Sequence, residues 1–201
     1  MKLSSTEGTA LVRYARSVIS SHYSRKTPPA PESLKEFFNE DRGVFVTLET
    51  YPEKELRGCI GYPEPIMPLG DAVKDAAVSA ATRDPRFPPV RESELDNLIV
   101  EVSVLTKPEL IKVKKPMEYA KEVVVGRDGL IVEKGYFRGL LLPQVPVEWK
   151  WDAEEFLSNT CMKAGLNPDA WLLHATKIYK FSAQIFSETS PAGEVVEKKL
   201  S

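Results

Sequence analysis

The sequence predicts an α+β fold with a largely antiparallel sheet flanked by helices. Two observations carry this. Predicted strands come in adjacent pairs rather than alternating one by one with helices, which argues against a doubly wound parallel sheet. The elements follow the order helix, helix, hairpin, helix, strand, hairpin, helix, strand, with no regular helix–strand alternation. A chain of 201 residues with 42% apolar and 28% charged residues is ordinary for a globular protein. It is long enough to bury roughly 70% of its unfolded surface without staples.

The first element is a helix from about Ser5 to Ser24. Leu11, Tyr14, Ala15, Val18, Ile19 and His22 recur at helical spacing and form one apolar stripe. His22 on that stripe is expected to be a satisfied core histidine. Pro28, Pro29 and Pro31 end the helix, because proline lacks the N–H and disfavours helix in the residue before it. A short helix, Glu32–Phe38, follows. From 43 to 50, Val44, Val46 and Leu48 alternate with Phe45, Thr47 and Glu49, so a strand is predicted, with residues 55–60 as its hairpin partner. Residues 62–68 hold three prolines and are expected to be irregular. Leu69–Thr82, rich in alanine, reads as a closely packed buried helix.

Residues 97–105 are the clearest strand: Leu98, Val100, Val102 and Val104 line one face, and Ile99, Glu101, Ser103 and Leu105 the other. A carboxylate and a hydroxyl on that second face mean that it meets water, a cleft or a polar partner. Two more strands, at 130–134 and 137–142, are joined by Gly135 and Tyr136. Residues 152–164 form a helix with a capping-box pair, Asp152 and Glu155, and Gly165 at its end. Residues 176–187 read as one long last strand. One domain is expected over 1–188, with 189–201 a charged, frayed tail.

Composition excludes several functions. With 27 basic and 29 acidic residues the formal net charge is −2, so no whole-protein basic footprint for nucleic acid exists. Lys112, Lys114 and Lys115 form a small basic cluster, but no aromatic interleaving supports base stacking. Two cysteines make no disulfide framework. No apolar run spans a bilayer and the start has no signal core, so a cytoplasmic protein is expected. Only six Asn and Gln residues beside 16 prolines fit a thermophile source. The scattered Cys and His residues offer no metal-ligand spacing, which leaves only a carboxylate site open, and no nucleotide-binding glycine loop is present, so neither metal nor cofactor is expected.

Four segments hold residue types suited to chemistry. In Leu56–Gly61 two glycines, Gly58 and Gly61, flank Cys59, with Arg57 two residues before it. By period two, Arg57 and Cys59 share a strand face, where a guanidinium would lower the thiol pKa. Cys59 is then either an activated thiol or an anion-binding turn; the alternative is a small buried cysteine. In Asp84–Pro89, Asp84, Arg86 and Phe87 lie in a proline-locked loop: either a rigid acid–base pair, or a helix stop whose side chains satisfy backbone. Glu101 and Ser103 are a third group, read otherwise as a solvated face. Gln144, between Pro143 and Pro146, offers donor and acceptor together. His174 could serve Cys59 as a base, but nothing in the spacing requires it.

These segments resemble the AMMECR family. Its signature L-R-G-C-I-G is matched by Leu56–Gly61, its D-x-R-F-P-P segment by Asp84–Pro89 and its S-V-L-T strand end by residues 103–106. Further matches are a G-x-x-G-[LI] turn at 126–130, L-P-[QE]-V at 142–145 and K-[AG]-G-[LF] at 163–166. Tyr62 departs from the small polar residue usual in the family after the second glycine. The resemblance implies an α+β fold with a larger and a smaller lobe, a cleft between them, and a signature motif near that cleft. It also implies a pathway shared with Memo-type or radical-SAM proteins as partners. Two functions follow. One is a binding module for a small molecule, an acidic ligand or such a partner, with Gly58, Gly61, Arg86, Phe87, Ser103 and Gln144 lining the site. The other is a cleft enzyme with Cys59 as nucleophile or redox thiol, Arg57 lowering its pKa, and Asp84 or Glu101 handling protons.

Overall fold

The computed structural model describes residues 2–24 and 28–198. They divide into two compact units, one comprising 2–24, 28–105 and 184–198 and the other 106–183. The mixed arrangement of helices and two antiparallel sheets is the predicted fold class.

In the first unit, helix α1 (Ser5–Ser24) buries Leu11, Tyr14, Ala15, Val18 and Ile19, the predicted stripe. His22 is a correction: it is exposed, its ring edge-on to Tyr23 at 5.3 Å. It stands in the last turn of α1, beyond the buried stretch that ends at Ile19. A 3-10 turn at Glu32–Leu34 leads into α2 (Lys35–Phe38), as expected. Strand β1 (Val44–Thr50) and β2 (Leu56–Tyr62) form the predicted hairpin, and α3 (Leu69–Thr82) follows. Strand β3 (Leu98–Leu105) pairs antiparallel with β1 on its other side.

Val44, Val46 and Leu48 of β1 and Leu98, Val100, Val102 and Val104 of β3 pack with α1 and α3 into one core. Register is pinned by this burial. A slip of one residue would turn the three β1 side chains to the other face, at about 1.5–3 kcal/mol each. The five-stranded sheet runs β2-β1-β3-β8-β9, where β8 is Ala183–Glu188 and β9 is Val195–Lys198. Strand β8 is tied to α1 by the buried Glu188. Its carboxylate accepts from Arg16 Nε at 2.7 Å, from Arg13 at 3.2 Å and from the Val100 N–H at 3.0 Å.

The second unit holds a four-stranded sheet in the order β4-β7-β5-β6 (Glu109–Leu110, Lys177–Phe181, Gly129–Lys134 and Phe137–Leu141). Short α4 (Tyr119–Glu122) and α5 (Gln144–Glu148) lie outside the predicted elements. Helix α6 (Ala153–Lys163) packs Phe156, Leu157 and Cys161 on Leu130, Val132 and Ile178. Its N-terminus has the predicted reciprocal box: the Glu155 N–H donates to Asp152 Oδ1 and the Asp152 N–H to Glu155 Oε2. Gly165 follows at φ +76°, a conformation that glycine adopts freely.

Two expectations for the chain's end are corrected. Residues 176–187 are not one strand. The chain breaks at Ser182, and β7 and β8 belong to different sheets. Ser182 is held by Thr106, the last residue of the S-V-L-T segment. The Thr106 N–H donates to the Ser182 carbonyl at 2.8 Å, and the Ser182 N–H donates to Thr106 Oγ1 at 2.9 Å. The expected frayed tail contains β9, antiparallel to β8, with Gln184 Nε2 donating to Glu197. No helix among the described residues is long and apolar enough to cross a membrane.

Candidate functional site

The Leu56–Gly61 and Asp84–Pro89 segments meet at the peptide of Cys59. Strand β2 is outermost in its sheet, so one edge carries backbone groups that no neighbouring strand satisfies. At Cys59 the loop after α3 satisfies them. The Cys59 N–H donates to Asp84 Oδ2 at 2.8 Å, and Arg86 Nη2 donates to the Cys59 carbonyl at 3.2 Å. Asp84 and Arg86 are locked together as a fork: Arg86 Nε to Oδ1 at 3.0 Å and Nη2 to Oδ2 at 2.8 Å, with the Arg86 N–H also on Oδ1. The Asp84 side chain is only 2% exposed. Arg86, first of all, then the backbone donors, hold its carboxyl far below the usual carboxylate range despite burial. Phe87 lies beneath Arg86, its ring centre 5.6 Å from the guanidinium carbon.

Gly58 explains why β2 can lie so close to α3. A Cβ there would sit 2.1 Å from the Ala80 carbonyl oxygen. At Gly61 a Cβ would meet the Val44 carbonyl at 2.2 Å. Both glycines are required by backbone approach.

The sheet face turned away from α1 and α3 carries the side chains. Thr47 pairs with Cys59 on one side and with Glu101 on the other, so the three stand in one row. In the next row Phe45 stands between Gly61 and Ser103. Thr47 Oγ1 donates to Cys59 Sγ at 3.3 Å. Glu101 is bridged by Lys198 of β9, at 2.5 Å, and Glu49 lies 3.9 Å from the same ammonium. Burial pushes the Glu49 carboxyl up, with Lys198 opposing.

Arg57 corrects the sequence reading. The register of β2 against β1 shifts there: Leu48 pairs with Gly58 and Glu49 with Leu56, leaving Arg57 as the extra residue of a bulge. A bulge breaks the alternation on which a shared face with Cys59 was inferred. Arg57 instead forks onto Glu94, with Nε to Oε1 at 3.0 Å, and donates to the Pro88 carbonyl at 2.9 Å. The expected low thiol pKa is also absent. Burial pushes the Cys59 thiol up, and Asp84 and Glu101 add to it; Thr47 and Arg86 pull it down and lose. The guanidinium beside this thiol is that of Arg86.

Sequence reasoning missed Thr47, Glu94 and Lys198. Thr47 was legible as a neighbour of Phe45 and Glu49 on the polar side of β1; the other two depend on long-range contacts. Tyr62 donates its hydroxyl to Asp75 of α3 at 2.5 Å. Gln144 opens α5 in the second unit, and His174 is an exposed residue of that unit. Cys161 is wholly buried there, its thiol pushed up to about 11 by burial.

The family model AMMECR1 matches residues 12–186. The chain belongs to the AMMECR1 family. It is 62% identical over 194 residues to Protein MJ0810 of Methanocaldococcus jannaschii, covering 96% of each chain. It is 53% identical over 204 residues to Protein PH0010 of Pyrococcus horikoshii, covering 99% of this chain and 98% of that one. The crystal structure of the uncharacterized protein PH0010 is similar in fold, with a TM-score of 0.80 at 55% identity over 96% of this chain and 97% of that one. The signature segments of this AMMECR1 chain thus stand on a shared scaffold, with Cys59 at their meeting point.

Proposed function

We propose that this AMMECR1 chain is a ligand- or partner-binding module built on Leu56–Gly61 and Asp84–Pro89, rather than a thiol enzyme. The observation that carries the reading is the double engagement of the Cys59 peptide by Asp84 and Arg86. Asp84, the candidate proton carrier, is committed to four donors, which suits a fixed scaffold and not a group that cycles protons. The Cys59 thiol contacts a hydroxyl, and burial favours its protonated form. The catalytic roles considered for Cys59, Arg57, Asp84 and Glu101 therefore have the weaker support. A pathway link to Memo-type or radical-SAM proteins is proposed on the family resemblance alone.

The test is the alkylation rate of Cys59 against pH, with Cys161 shielded by burial. The expected midpoint lies above the ordinary thiol value of about 8.5. Arg57→Ala should leave that midpoint in place, and Arg86→Gln should raise it. Fast alkylation at neutral pH, slowed by Arg57→Ala, would reverse the reading in favour of the thiol enzyme.

A further inference from the structure

Arg86 is held in place before any ligand arrives, and one side of it is unspent. Nε and Nη2 carry the fork to Asp84, and Nη2 also reaches the Cys59 carbonyl. No hydrogen bond runs from Nη1 among the described residues, and the side chain is 54% exposed. A guanidinium is planar, so a fork through Nε and Nη2 directs the Nη1 donors away from Asp84. The rotamer freedom that an arginine ordinarily loses on binding is already lost here.

The neighbouring charges permit an anion at that position. Asp84 is answered by Arg86 itself, while Lys198 bridges Glu101 and stands 3.9 Å from Glu49, on the far side of Thr47 from Cys59. Thr47 and the protonated Cys59 are neutral. An anion on Nη1 would be nearer to the guanidinium than to the Asp84 carboxylate behind it. Coulomb energy falls with distance, so attraction exceeds repulsion. Charge-assisted bonds to arginine suit the planar oxygen pairs of carboxylates and the oxygens of phosphates.

We propose that Arg86 Nη1 is the anchor for an oxyanion of the ligand, carboxylate or phosphate, seated beside Cys59. This rests on the binding-module reading and names the chemistry that the module recognises. Asp84 is the positioning residue: it aims the guanidinium and touches no ligand. Phe87 supports the guanidinium from beneath.

The test is a titration of the full-length, 15N-labelled protein at neutral pH, followed by NMR at the Arg86 Nε–H and the Cys59 amide. Sodium phosphate and sodium acetate are added separately, with sodium chloride at matched ionic strength as reference. The expected result is a saturating shift of both signals with at least one oxyanion, beyond the drift caused by chloride. Saturation with phosphate alone assigns the phosphate class, and with acetate the carboxylate class. Arg86→Lys, which keeps the charge and loses the fork, should weaken the response about tenfold. Because Arg86 is itself the reporter, the parent protein alone decides the matter if the variant does not fold. Only chloride-like drift with both anions, or an unchanged saturating response of the Cys59 amide in a folded Arg86→Lys, overturns the proposal. A silent titration leaves the module reading standing, whereas a reactive, low-pKa Cys59 together with a saturating anion response overturns that reading alone.

Discussion

Gly58→Ala is expected to destabilise the first unit by at least about 3 kcal/mol, toward the upper end of overpacking costs. The added Cβ would stand 2.1 Å from the Ala80 carbonyl oxygen. That oxygen belongs to the backbone of α3 and cannot rotate aside as a side chain would. Relief requires the helix to lift from β2, and Val73, Ala76 and Ala77, all fully buried, lift with it. Small residues let α3 approach this closely, so the cost falls on the whole contact rather than on one methyl group. Gly135→Ala is the matched control. Its φ of +59° is disfavoured for alanine, but nothing lies within 4 Å, so only about 1 kcal/mol is at stake. Thermal unfolding separates the two: Gly58→Ala should lower Tm by roughly 10 °C and Gly135→Ala by a third of that. Equal melting temperatures for Gly58→Ala and the parent would mean that α3 is not seated on β2 at Ala80.

The elements legible in the sequence are those whose signal is local. Helix α1 announces itself by spacing, α6 by its caps, and β1 and β3 by period two, because each pattern records burial of one face within a short stretch. What was not legible depends on distant partners. The apolar rhythm of residues 176–187 runs unbroken through Ser182; only the bonds to Thr106, 76 residues away, show where one strand ends and the next begins. Strand β9 lies at a sheet edge with little burial, so its charged residues look like a tail. The same division holds at the site. Cys59, Asp84 and Arg86 were marked by residue type, but side chains spent on the peptide of Cys59 leave no trace in spacing. The bulge at Arg57 shows the opposite failure, in which a local rule was applied across a residue that β1 does not pair.

Asp84→Asn is expected to cost about 2–3 kcal/mol and to flatten the acid limb of stability. Breaking a buried ion pair typically costs about 3–5 kcal/mol; the lower figure allows for solvent screening of the half-exposed Arg86. Asparagine keeps the shape but replaces one acceptor by an NH2 group, which then faces the Cys59 N–H or the Arg86 fork, donor against donor. The pH dependence has a definite sign. The folded-state pKa of Asp84 lies well below its unfolded value of about 3.9. Below that unfolded value the unfolded chain takes up the proton first. The carboxylate's contribution is therefore complete above about pH 5, and is lost progressively as pH falls through 4 toward the folded pKa. Asp75 and Glu94 are also held low by their partners, so the parent has other acid-sensitive groups. The difference between parent and variant isolates Asp84. Urea unfolding at steps from about pH 6 to pH 3 should show the two curves converging as the pH falls. Parallel curves would mean that the Asp84 charge does not hold the loop to β2. Arg86 would then have no fixed aim, and the case for an oriented anion site beside Cys59 would fall with it.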